Sequence, residues 1–221
     1  CLGPTRIPVL SEEGREMLYD ERRNWEMFLL VDPLDGTKEF IKGNNEFTVN
    51  IALMMNNECI ASALYVPYHQ KMYVAAKGLG AYLIRDVEPK EDSSLNQKEI
   101  EHLLERLPLE SASHEEFRVA VSRSHQTPET HDRIDQIRQQ HPDLKLIEQG
   151  SSYKFCLLAE GTIDYYVRTT NTYEWDTAAG ELILAEAGGS TISYPEGRPL
   201  CYNKEDLKNP WFEARSATCK L

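Results

Sequence analysis

Apolar residues gather early in two short runs, Pro8-Val9-Leu10 and residues 25–30, and each run ends in acids: Ser11-Glu12-Glu13 after the first, Val31-Asp32 after the second. Short apolar runs bounded by polar turns predict buried strands rather than helices. Residues 47–55 and 59–66 predict two more strands, joined at Asn56-Asn57, a pair that accepts the positive φ of a tight hairpin. Residues 71–76 and 81–84 continue this meander, punctuated by Gly78 and Gly80. Residues 86–116 are highly charged, with apolar positions at Ile100, Leu103, Leu104 and Leu107, which predicts a peripheral helix without chemistry.

Beyond it the pattern alternates. Strands are predicted at 118–122, 144–148 and 163–168, with a last strand at 190–194. Helices are predicted at 129–140 and 151–160, and a third runs from Asp176 as N-cap to the terminating pair Gly188-Gly189. An antiparallel meander followed by alternating strands and helices indicates a layered α/β sandwich. At 221 residues one domain is the default.

Composition narrows the partners. The net charge of −12 argues against a nucleic-acid polymer, whose phosphate backbone needs a basic face. It leaves room for a small anion if bound metals invert the local potential. Cys1, Cys59, Cys156, Cys201 and Cys219 are odd in number and form no C-x-x-C pair, so reduced thiols in a cytoplasmic setting are the expectation. No signal peptide and no apolar run of bilayer-spanning length is visible in the sequence.

The candidate chemistry lies in Val31-Asp32-Pro33-Leu34-Asp35-Gly36-Thr37-Lys38-Glu39-Phe40. Asp32 and Asp35 offer hard oxygen donors suited to Mg²⁺. Pro33 stiffens the turn and lets the Leu34 carbonyl point inward as a neutral ligand. Gly36 permits close backbone approach, and Thr37 opens a short helix whose free N–H groups suit phosphate. Taken alone, the same residues also describe an Asp-Pro turn followed by an Asp-Gly turn. The second segment is Trp175-Asp176-Thr177-Ala178-Ala179-Gly180, where Trp175 could wall a pocket and Asp176 could simply cap its helix.

The set Glu12-Glu13, Asp32-Pro33-Leu34-Asp35-Gly36-Thr37 and Trp175-Asp176-Thr177-Ala178-Ala179-Gly180 resembles the lithium-sensitive, Mg²⁺-dependent phosphomonoesterases related to inositol monophosphatase. The resemblance runs along nearly the whole chain. Lys38-Glu39-Phe40, Phe47-Thr48-Val49-Asn50-Ile51-Ala52, Ser122-Arg123-Ser124-His125 and Gly150-Ser151-Ser152-Tyr153-Lys154-Phe155-Cys156 look most like the bacterial CysQ branch, the 3'(2'),5'-bisphosphate nucleotidases. It implies an α-β-α-β-α sandwich forming one phosphatase domain over residues 1–221. Residues 1–117 would be its metal-binding half and 118–221 its nucleotide-binding half. The family places helices and an Asp-x-Ser-Pro-Val-Thr-x-Ala-Asp segment ahead of the Glu-Glu strand. This sequence opens at Cys1-Leu2-Gly3-Pro4, so that part of the fold is expected to be missing from it, and any third-metal role with it.

By the same resemblance, two or three Mg²⁺ ions are the cofactor. Glu12, Asp32 and the Leu34 carbonyl would hold the first ion, and Asp32, Asp35 and Asp176 the second. Thr37 and Asp35 would be catalytic, with Thr37 hydrogen-bonding the attacking water and the Gly36 and Thr37 amides taking the scissile phosphate. His125, Ser151, Lys154, Arg168 and Asp176 would contact the rest of a nucleotide bisphosphate. Arg168 stands where inositol phosphatases carry an acid, and a guanidinium suits an anion rather than a polyol. The implied reaction removes the 3'-phosphate of adenosine 3',5'-bisphosphate, or of its sulfated form, by attack of metal-activated water. An inositol or sugar phosphatase and a non-catalytic nucleotide sensor stay open as alternatives. So do a homodimer and a peripheral association with the cytoplasmic side of the inner membrane.

Overall fold

The computed structural model describes residues 7–88, 102–110 and 115–221. The first sheet has seven strands in sequence order: β1 (Val9–Ser11), β2 (Met27–Asp35), β3 (Thr48–Met55), β4 (Glu58–Val66), β5 (Lys71–Ala76), β6 (Gly80–Ile84) and β7 (Glu105–Arg106). β1 runs parallel to β2, and every later neighbour is antiparallel. The hairpin at Asn56-Asn57 forms as expected, with φ of 50° and 63° at the two asparagines. The second sheet has the order β11-β12-β10-β8-β9. It is built from β8 (Arg118–Ser122), β9 (Lys145–Gln149), β10 (Tyr165–Arg168), β11 (Ser190–Ser193) and β12 (Phe212–Arg215).

Helices α4 (Tyr153–Glu160) and α5 (Glu174–Glu186) lie between the sheets. One buried cluster joins Leu64, Tyr73 and Leu83 of the first sheet to Phe155, Ile183 and Leu184 of the helices and Phe212 and Ala214 of the second sheet. A second cluster, with Val119, Val121, Tyr165 and Val167, sits under α3 (Pro128–Arg138) through Ile134 and Ile137. The described layers are therefore sheet, helix pair, sheet and helix, four of the five in the expected sandwich. Two short helices, α1 (Tyr19–Arg22) and α2 (Thr37–Lys42), flank β2.

Two expectations fail. The helix expected over 86–116 lies largely outside the described residues, and among those described Leu103 and Leu104 are not helical, Glu105–Arg106 pairs as a strand with β6 and Leu107 is buried. The strand at 190–194 is not the last, because β12 inserts between β11 and β10. Its middle carries Glu213, 5% exposed, whose carboxylate takes hydrogen bonds from Tyr165, Arg133 and Arg215. A paired, buried acid breaks the apolar signature by which a strand is read.

Candidate active site

β2 carries the first motif out of the core. Leu30 and Val31 are buried, and Asp32 follows at 1% exposure. Register against β3 slips between Asp32, opposite Asn50, and Asp35, opposite Thr48. This bulge at Pro33-Leu34 re-aims the strand end, as bulges beside active sites do. Asp32 Oδ1 accepts the Leu34 N–H at 2.9 Å. Its other oxygen, Oδ2, is buried with no partner.

Because β1 is parallel to β2, Glu12 emerges beside the motif, its N–H donating to the Val31 carbonyl at 3.2 Å. Asp176 arrives from the first turn of α5. It is not the N-cap: Tyr173 holds that place, and Asp176 Oδ2 accepts the Tyr173 N–H at 2.7 Å. Glu12, Asp32 and Asp176 each bring a carboxylate oxygen within 4.8 Å of the others. Burial, followed by the charges of Asp35 and Glu12, pushes the Asp32 carboxyl up to about 9. Burial and Asp35 push Asp176 up to about 8, and burial also raises Glu12. Three crowded carboxylates and an orphaned buried oxygen fit a divalent cation, whose charge would relieve both the repulsion and the vacancy in hydrogen bonding.

Asp35 is not in that trio, although its charge acts on Asp32 and Asp176. Its Oδ2 accepts the Ser152 N–H at 2.5 Å and the Thr48 hydroxyl at 3.4 Å. Gly36 turns the chain with φ of +88°, and a Cβ there would meet the Glu46 carbonyl at 3.1 Å. Thr37 then opens α2, its hydroxyl donating to the Leu34 carbonyl at 3.2 Å.

These groups line a cavity of about 270 Å³, shared with His125, Ser151, Lys154 and Arg168. Of the candidate site residues, only Asp32 lies beneath the cavity wall rather than on it. His125 Nε2 accepts from the Lys38 ammonium at 2.9 Å. Burial first, then the charges of Arg168 and Lys38, hold its imidazole below the usual range. Ser151 does not open a helix with Lys154. It sits ahead of α4 in the left-handed region, φ 49°, and Ser152 is the N-cap. The Lys154 ammonium is buried and donates to the Gln149 and Ser151 carbonyls at 3.0 and 2.5 Å. Arg168 ends β10 half-buried, with Nε buried and unpartnered. Trp175 stacks on Tyr173 with centroids 5.1 Å apart and packs into the core, while Tyr173 faces the cavity. Sequence reasoning missed Asn171 and Thr172 on the wall, which carry no pattern. It used Lys38 and Glu39 only for resemblance, although they directly follow the motif.

The sequence profile of the inositol monophosphatase family matches residues 5–215. The chain belongs to the inositol monophosphatase family. Within this family it is 41% identical over 207 residues to the 3'(2'),5'-bisphosphate nucleotidase CysQ of Escherichia coli O6:H1, covering 93% of this chain and 74% of that one. It is 31% identical over 208 residues to the Haemophilus influenzae CysQ, covering 93% and 70%. Among solved structures, CysQ from Bacteroides thetaiotaomicron superposes with a TM-score of 0.91 at 46% identity, over 98% of this chain and 79% of that one. Inositol monophosphatase-II of Staphylococcus aureus shares the fold at a TM-score of 0.68 and 20% identity, over 96% and 70%. Metal dependence is general in the inositol monophosphatase family, and Glu12, Asp32 and Asp176 are where this member could meet it.

Proposed function

We propose that this protein is a Mg²⁺-dependent phosphomonoesterase that hydrolyses adenosine 3',5'-bisphosphate to AMP and phosphate. One observation carries the reading: a single cavity is lined by Glu12 and Asp176, with the orphaned Asp32 oxygen buried beneath, and by the basic side chains Lys38, Lys154 and Arg168. The carboxylates suit metal ions and, through them, a scissile phosphate. The basic side chains suit a second phosphate, which a neutral polyol lacks. The likeness to nucleotidases named CysQ supports the same substrate.

Glu12, Asp32 and Asp176, with Asp35 and the Leu34 carbonyl, would hold two Mg²⁺ ions. Bound there, Mg²⁺ supplies positive charge that neutralises the phosphate and makes a water more acidic. The Thr37 hydroxyl donates to Leu34, which leaves its lone pairs to accept a hydrogen from the attacking water. The Gly36 and Thr37 amides would orient the phosphoryl oxygens as water's oxygen bonds to phosphorus and the P–O3' bond breaks. The proton lost by water balances the one gained by the departing 3'-oxygen. Arg168 and Lys154 would face the 5'-phosphate, and Tyr173 borders the same cavity. Cys59, Cys156, Cys201 and Cys219 are unpaired, which suits a reducing compartment. No helix among the described residues is long and apolar enough to cross a membrane.

Phosphate release from adenosine 3',5'-bisphosphate and from inositol 1-phosphate, each with Mg²⁺ and then with EDTA, tests the proposal. Rapid release from the nucleotide alone, abolished by EDTA, is expected. Preference for the inositol ester, or release unaffected by EDTA, would overturn it.

A further inference from the structure

The geometry points to Glu46 as a positioning residue for this reaction, setting the 150–152 loop that carries Ser151 into the cavity and braces Asp35. The inference rests on the phosphatase reading above. Glu46 lies between α2 and β3, its side chain 15% exposed. Its Oε2 accepts the Gly150 N–H at 2.7 Å and Arg123 Nε at 2.9 Å, while Oε1 accepts Arg123 Nη2 at 2.8 Å. Gly150 is pressed against the same segment: a Cβ there would come within 2.5 Å of Glu39 Cγ and 3.0 Å of the Glu46 carbonyl. Two residues on, the Ser152 N–H donates to Asp35 Oδ2 and the Ser152 hydroxyl to Asn50 Oδ1 at 2.8 Å. The three-residue loop is thus pinned at both ends, with Ser151 between them at φ 49°. A non-glycine residue keeps that conformation only where its surroundings over-determine it. At the Gly150 end, the Glu46 carboxylate is the side-chain acceptor that does so.

Arg123 offers a competing account. Half exposed, it also bonds the Glu148 carbonyl and carboxylate. If the Glu46–Arg123 pair only ties segments together, losing either partner should do equal harm. If Glu46 acts through Gly150, a neutral acceptor in its place should suffice. Glu46→Gln keeps a carbonyl for the Gly150 N–H and loses the charge, Glu46→Ala loses both, and Arg123→Ala loses the ion pair and the Glu148 bonds but leaves the Gly150 acceptor in place.

Hydrogen exchange of a peptide covering 149–153, in the metal-free protein, should quicken about tenfold in Glu46→Ala and stay near wild type in the other two, in line with loss of a charged hydrogen bond. In assays, Glu46→Ala should raise both the KM for the bisphosphate and the half-activating Mg²⁺ concentration about tenfold, with kcat changed less than threefold. Glu46→Gln and Arg123→Ala should stay within threefold of wild type throughout. Unchanged loop exchange in Glu46→Ala, or equal losses in all three variants, would overturn the inference. A wild type inert toward the bisphosphate would overturn the functional reading instead, and the exchange comparison would still decide the role of Glu46.

Discussion

Arg168 and Lys154 both line the cavity but are differently employed. Lys154 spends its ammonium on two backbone carbonyls, whereas Arg168 keeps a buried Nε without a partner. Of the two, Arg168 is therefore the one we propose to meet a 5'-phosphate. Arg168→Ala should lower kcat/KM for adenosine 3',5'-bisphosphate about ten- to hundredfold, the worth of a charged hydrogen bond of roughly 1.5–3 kcal/mol. It should barely change hydrolysis of adenosine 3'-monophosphate, which has no second phosphate to lose. Equal losses on both substrates would make Arg168 structural. Lys154 has a different signature. Burial first, and Arg168 next, pull its pKa down to about 7. Between about 7 and the usual 10.5 the unfolded chain binds a proton that the native state does not. The native state is penalised below that window, and stability rises with pH across it. Lys154→Met removes this slope. Denaturant unfolding at pH 7, 8.5 and 10 should therefore show the stability difference, wild type minus variant, moving in favour of wild type. A pH-independent difference would contradict the lowered pKa.

Elements with one apolar face were legible in the sequence, and those built around buried charge were not. The meander from Thr48 to Ile84 alternates buried and partly exposed positions, which is the period-two pattern a half-buried sheet imposes. β12 escaped notice because the buried Glu213 interrupts its core residues Phe212 and Ala214, its carboxylate met by Arg133 and Tyr165 from elsewhere in the fold and by Arg215 two residues on. Leu103, Leu104 and Leu107 have helical spacing, yet pairing with β6 wins at Glu105–Arg106. Asp176 passed for an N-cap because its true partner, the Tyr173 N–H, lies three residues back in the same turn. α5 and α4 also meet at a point no periodicity announces. A Cβ on Gly180 would lie 2.7 Å from Phe155 ring and Cβ atoms. Gly180→Ala gains up to about 1 kcal/mol of helix propensity but overpacks a buried contact, which typically costs about 1–3 kcal/mol. Thermal melting should fall by a few degrees, at roughly 2–4 °C per kcal/mol in a domain of this size. An unchanged or higher melting temperature would mean the two helices separate freely.

Across the whole molecule, the candidate site gathers residues from position 12 to position 176. Its motifs were readable one by one, since Asp32-Pro33-Leu34-Asp35-Gly36-Thr37 and Trp175-Asp176 each combine hard donors with a sharp turn. What the sequence could not show was which donors meet. Parallel pairing of β1 with β2 brings in Glu12, and packing of α5 on the first sheet brings in Asp176, whereas Asp35 is drawn toward Ser152. A cation among Glu12, Asp32 and Asp176 would therefore staple the first sheet to the central helix. Anything that binds the native state alone stabilises it, by about 2.7 kcal/mol at a hundred times the dissociation constant. Saturating Mg²⁺ should then raise the melting temperature of wild type by about 5–11 °C over EDTA. Asp176→Asn is the informative variant, because its side-chain carbonyl can still accept the Tyr173 N–H and keep the first turn of α5 intact. It also removes a buried carboxyl whose charged form burial and Asp35 disfavour, so its melting temperature in EDTA should be no lower than that of wild type. The Mg²⁺-induced rise should be lost, and phosphate release with it. A variant that still gains the full rise would show that the metal binds elsewhere, and the trio would be left as a cluster of acids without an ion to hold.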